Sequence, residues 1–146
     1  MALAHPKYLA SRYEPVPVID LTAKAQRERL SPAALRAFFT IVERWKIRDE
    51  DARVLLGGLS NGPYYKWRKE PTRTLDTDVL MRISYLIGIF KALNILYGET
   101  IADEWVRLPN RNPVFGGKTP LAYMMTGGVP ALQTVRRLLD ARRGGV

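Results

Sequence analysis

The residues of this chain that could do chemistry are cations more than catalysts. Two short stretches, Lys66–Arg73 and Arg136–Arg143, concentrate positive charge. They sit in a chain with 23 Lys and Arg against 14 Asp and Glu, a formal charge of +9. An excess of that size favours a polyanionic partner such as nucleic acid, the plain alternative being a solvated basic surface. Catalytic sets are hard to assemble. The single histidine, His5, has no second histidine for a metal site or an acid–base pair. There is no cysteine, which excludes disulfides and thiolate metal sites. The acidic runs Asp49-Glu50-Asp51 and Asp103-Glu104 place neighbouring carboxylates about a quarter turn apart on a helix, so they do not converge on one substrate. Phe115-Gly116-Gly117-Lys118-Thr119 invites a phosphate-loop reading, but such a loop needs glycine where Asn112 stands. No strand pattern precedes it, and Pro120 removes an N–H from the helix start that would hold phosphate. No catalytic residue, no metal and no cofactor is therefore expected, and the chain is read as a binding protein.

The elements that must position these cations read as helices. Apolar residues make up 47% of the chain, enough for one domain or for two small ones sharing a core. Pro6, Pro15 and Pro17 make the N-terminus an extended arm leading to a short helical stretch near Leu21–Leu30. Ser31 as cap and Pro32 at the first helical position predict a new helix, with Leu35, Phe38, Phe39, Val42 and Trp45 on its inner face. A second helix spans about Asp49–Leu56 and ends at Gly57-Gly58. A third begins near Ser60 and stops at Pro71, and a long fourth runs from Thr77 or Asp78 to Tyr97, capped by Gly98. Its Gly88 allows a bend or a close helix contact. A fifth covers Thr100–Arg107, and Pro109–Lys118 is a loop. Thr119-Pro120 opens a sixth ending at Gly127-Gly128, and Pro130 opens a last helix to about Arg143. The window Val79–Tyr97 is apolar, but Arg82 and Lys91 leave its longest uncharged run at Ile83–Phe90, too short for a bilayer. Met1–Lys7 lacks the apolar core of a secretion signal. A cytoplasmic protein with no membrane partner is expected.

Glu50–Lys69 has the layout of a helix-turn-helix, in which the second helix enters the major groove. Its early residues Ser60, Asn61, Tyr64 and Tyr65 would meet base edges, and Lys66, Arg68 and Lys69 would meet phosphates. Two core helices with a solvated basic face would read the same way.

A more specific pattern lies further on. It comprises Trp105, Pro109-Asn110, Phe115-Gly116-Gly117-Lys118, Pro120-Leu121, Gly127 and the final stretch Val135–Asp140. In this pattern the chain resembles the toxin-binding domain of Xre/MbcA/ParS antitoxins, and Leu86-Ile87-Gly88-Ile89-Phe90-Lys91-Ala92-Leu93 resembles that family's central helix. The resemblance covers roughly residues 30–146. It implies a toxin partner of the RES class, which consumes NAD or transfers its ADP-ribose, and a C-terminal segment that closes the toxin's cleft. Trp105, Asn110 and Lys118 of the motif, and Arg136, Arg137, Arg142, Arg143, Gly144, Gly145 and Val146 of the terminal segment, would then contact the toxin. The arginines are suited to the carboxylates of a dinucleotide pocket, whereas an ordinary amphipathic terminal helix would leave them in water.

The expected architecture is all-α, a helix-turn-helix bundle continuous with a C-terminal helical toxin-binding domain. Residues 1–30 form an extension, 31–74 the Xre-like region, and 75–146 the toxin-binding domain with its long linking helix. The expected function is that of an antitoxin in a type II toxin–antitoxin module. The RES-type toxin and operator DNA are its partners, and it forms a homodimer and a hetero-oligomer with the toxin. A free-standing helix-turn-helix transcriptional regulator is the alternative.

Overall fold

A computed structural model describes residues 19–144; the Pro-containing arm, His5, Gly145 and Val146 lie outside the described residues. The described chain is all-α, with no strand: α1 (Lys24–Arg44), α2 (Asp49–Leu55), α3 (Asn61–Lys69), α4 (Thr77–Tyr97), α5 (Glu99–Trp105) and α6 (Pro120–Arg143). A 3₁₀ turn at Pro113–Phe115 stands between the last two.

Helix α4 is the axis of the fold, packing against α1, α5 and α6. By length and composition it could cross a membrane, but here one face of it is packed against protein. Ile83, Leu86, Ile89, Ala92 and Leu93 are fully buried among Leu35, Phe38 and Trp45 of the α1 end and Val135 and Leu139 of α6. Asp76 caps α4, accepting the Val79 N–H at 2.9 Å. One contiguous apolar cluster runs from α1 to α6, so packing continues across the boundary expected at residue 74.

One expectation needs correction. Ser31 does not cap a helix, and the stretch near Leu21–Leu30 is not a separate element: α1 runs continuously from Lys24 through Pro32. The Ser31 hydroxyl donates to the Arg27 carbonyl at 2.6 Å and accepts the Leu75 N–H at 2.8 Å. Such back-bonding occupies a carbonyl inside the helix, and the bond to Leu75 anchors the segment leading into α4. The missing N–H of Pro32 is tolerated because Leu30, Leu35 and Phe38 pack on both sides of it. At the C-terminus the expected break is present: α6 is two helical segments that meet at Gly128, whose φ of 63° and ψ of −146° are non-helical. Pro130 follows the kink, where no regular helical N–H is required of it.

Candidate functional site

Helix α3 meets the core through a buried tyrosine, with Trp67 half-buried against it. Tyr64 is fully buried, its ring edge-on to Phe39 at 5.4 Å. Its hydroxyl donates to Asp49 Oδ1 at 2.9 Å. Asp49, in the first turn of α2, also accepts from the Tyr65 hydroxyl at 3.0 Å and from Arg68 Nη1 at 3.0 Å. One carboxylate thus binds α2 to three positions of α3. Burial, and then the Asp49 carboxylate, push the Tyr64 phenol well above its ordinary ionisation range. Between the helices, Gly57 and Gly58 have φ of 95° and 89°, a turn that favours residues without a Cβ.

This arrangement divides the expected DNA-contacting set. Tyr64 is corrected to a core residue, because a side chain with no exposed surface cannot meet a base edge. Ser60, Asn61, Tyr65, Lys66, Arg68 and Lys69 are exposed. Arg68 is shared with Asp49, whereas Lys66 and Lys69 stand in solvent in the last turn of α3. Asp49, which the sequence offers only as a charge suited to a helix start, proves to be the residue that aims α3.

The second region is the loop between α5 and α6, built on an aromatic nest. Phe115 is 1% exposed, held edge-to-face between Trp105 at 5.9 Å and Tyr123 at 5.3 Å. Two asparagines shape the approach. Asn110 Oδ1 accepts the Asn112 N–H at 2.9 Å, and Asn112 Oδ1 accepts the Val114 N–H at 3.0 Å. Gly116 and Gly117 then turn with φ of 56° and 82°. The Thr119 hydroxyl accepts the Ala122 N–H at 3.1 Å with Pro120 in the first turn, as their order in the sequence predicts. The Leu121 N–H donates to the Val106 carbonyl at 2.8 Å, fastening the start of α6 to the end of α5. On the other side of α5, Asp103 and Glu99 pair with Arg44 at 2.8 and 2.6 Å, and Arg44 lies over the Phe90 ring.

The expected toxin-contacting residues fall into three groups. Trp105 and Asn110 are half-buried and help to build the loop. Lys118, Arg137, Arg142, Arg143 and Gly144 are exposed, with Arg142 donating to the Tyr97 hydroxyl at 2.8 Å. Arg136 is a packing residue as well as a charge. It crosses Gly88 so closely that a Cβ built there would stand 1.3 Å from Arg136 Nη1, and it pairs with Asp140 at 2.8 Å. The close contact allowed by Gly88 is made by this guanidinium. Selecting residues by charge also passes over the most exposed large apolar side chains, Ile95, Ile101 and Leu108, at 64, 58 and 51%. Their signal in the sequence is apolar residues on helix positions where the core needs none.

The nest, its glycine turn and α6 lie within residues 92–145, the span that matches the model of the "Antitoxin Xre/MbcA/ParS C-terminal toxin-binding domain". The uncharacterized protein y4oB of Sinorhizobium fredii (strain NGR234) is 42% identical over 115 residues, covering 78% of this chain and 87% of that relative. The chain thus belongs to one family with that relative, and its residues 92–145 belong to the Xre/MbcA/ParS antitoxin toxin-binding domain family, which implies a toxin protein as partner.

Proposed function

We propose that this antitoxin neutralises a RES-type, NAD-consuming or ADP-ribosylating toxin by steric closure of its NAD cleft, and that α3 binds operator DNA to regulate the operon. The observation that carries the first part is the position of the basic end of α6 within the span matched to the toxin-binding domain. Beyond Leu139, the last buried residue, Asp140–Arg143 are exposed. An exposed end with Arg142 and Arg143, and with Arg137 one turn before it, can enter a cleft built for a dinucleotide diphosphate and pair with its carboxylates. Blocking of this kind requires no chemistry from the antitoxin. Residues 31–74 would then serve DNA and residues 75–146 the toxin, the two sharing one core. A homodimer would present two copies of α3 to successive half-sites.

The test is removal of Arg142–Val146, assayed with the toxin encoded beside this chain. Arg142 and Arg143 lie past the buried face of α6, so fold and melting temperature should stay as they are. Inhibition of NAD turnover should weaken more than co-purification does, because the remaining interface is intact. A truncated chain that inhibits as fully as the intact one overturns the steric closure. The DNA arm is a gel shift at low salt with the upstream region, in which absence of a complex removes operator binding.

A further inference from the structure

We infer that Ile101, Trp105 and Leu108 form an apolar stripe on which the toxin docks, distinct from the terminal helix proposed to close its cleft; the inference rests on the reading of this chain as an antitoxin. Ile101 and Trp105 are four residues apart on α5 and therefore neighbours on one face. The chain then tightens, the Leu108 N–H reaching the Trp105 carbonyl at 3.4 Å. In such a 3₁₀-type turn residues three apart eclipse, which sets Leu108 above Trp105. The core lies behind the stripe, where Ala102 and Val106 are buried. Ile101 and Leu108 are two of the three most exposed large apolar residues among those described. Apolar side chains gathered in this way on a soluble protein mark an interaction site.

Three features specify the occupant. The stripe lies inside the span matched to the toxin-binding domain, so it belongs to the part of the chain described as meeting a toxin. The Trp105 ring is already fixed against Phe115, so ordering an aromatic anchor loses little entropy on association. The exposed charges of α5 and the loop that follows it are Arg107, Arg111 and Lys118 against Glu99 and Glu104, a net positive set. The complementary surface is an apolar groove on the toxin edged by carboxylates. Docking on the stripe would supply affinity, and the end of α6 would supply inhibition.

The experiment measures the dissociation constant of the complex with the toxin of the adjacent gene. It compares the intact chain with Ile101→Asp, Leu108→Ser, the double variant and Val54→Asp as an exposed apolar control on α2. Helicity and melting temperature are followed throughout. The double variant should bind about thirtyfold or more weakly, the loss expected when an interface anchor is removed, with its melting temperature unchanged. The control should bind like the intact chain. The truncation after Ala141 should give the opposite profile, with capture kept and inhibition reduced. Should Ile101→Asp melt early, Leu108→Ser decides the matter, since its site is a solvent-facing turn. Folded variants that bind with the intact chain's affinity overturn the stripe and leave the proposed function standing. If the intact chain itself captures no toxin, the proposed function fails and the stripe with it.

Discussion

The α2–α3 corner and the α5–α6 loop each place a buried aromatic ring behind a working surface, but they hold it in opposite ways. At the corner, Tyr64 is fixed by a polar network centred on Asp49, and what remains outside is cationic and polar. At the loop, Phe115 is fixed by other rings, and what remains outside is apolar with a net positive set of charges. The interior fastening and the exterior chemistry are matched in each case. Hydrogen bonds to a single carboxylate set the direction of a short helix and leave its lysines in solvent. A nest of rings carries no direction, but it makes a rigid floor on which apolar groups can be presented. In the function proposed above, one small core would serve two partners of different chemistry.

The contrast breaks first at Phe115. Phe115→Ala should remove the floor of the loop and destabilise the protein by about 3–5 kcal/mol, the range for a buried phenylalanine. Thermal melting should fall by about 10 °C or more, and an unchanged melting temperature would show that the nest is dispensable. Next in size is the exterior of the corner. Lys66→Ala with Lys69→Ala should leave stability unaltered while lowering the salt slope of operator binding by about two units, one for each lost phosphate contact. Arg68→Ala should change that slope less, because Arg68 is already paired with Asp49. A slope that moves equally for all three positions would mean that Asp49 does not compete with DNA. The smallest effect is inside the corner. Tyr64→Phe deletes one hydrogen bond to Asp49 and should cost about 1 kcal/mol at neutral pH. It should also flatten the alkaline limb of stability. The Tyr64 phenol ionises in the folded state above its ordinary value of 10.0, so its contribution is complete below that pH and is lost as the pH rises through the raised folded-state value. Phenylalanine has no such proton, and denaturation measured from pH 8 to 11 separates the two chains.

Much of this was legible in residue order, and the exceptions share a cause. The bounds of α2, α3 and α4 follow from local signals, an acidic first turn, a proline stop and glycine caps, and the helices occur there. Phe115 beside two glycines reads as a buried anchor, and it is one. Ser31-Pro32 has the same local grammar as Thr119-Pro120, yet only the latter caps a helix. What separates them is Leu75, forty-four residues downstream, whose N–H donates to the Ser31 hydroxyl oxygen. Tyr64 and Tyr65 are adjacent and alike, and the position of Phe39 on α1 selects which one is buried. Arg136 reads as a free charge until Gly88 is set beneath it. In each case the deciding atom lies on another helix, outside the reach of any local pattern.

Gly128 gives the terminal helix a mechanical character. Its backbone combination of φ 63° and ψ −146° lies close to a region held almost only by glycine. Any residue with a Cβ would therefore re-aim whatever follows. The arm beyond it, from Pro130 to Arg143, is about 20 Å long at 1.5 Å per residue. A swing of about 10° at the pivot would carry its tip roughly 3.5 Å by that same geometry, a full hydrogen-bond length. Leu132, Val135 and Leu139 clamp the arm along its length, so pointing accuracy at the tip is set by a pivot and three bolts far from the surface where the aim is used.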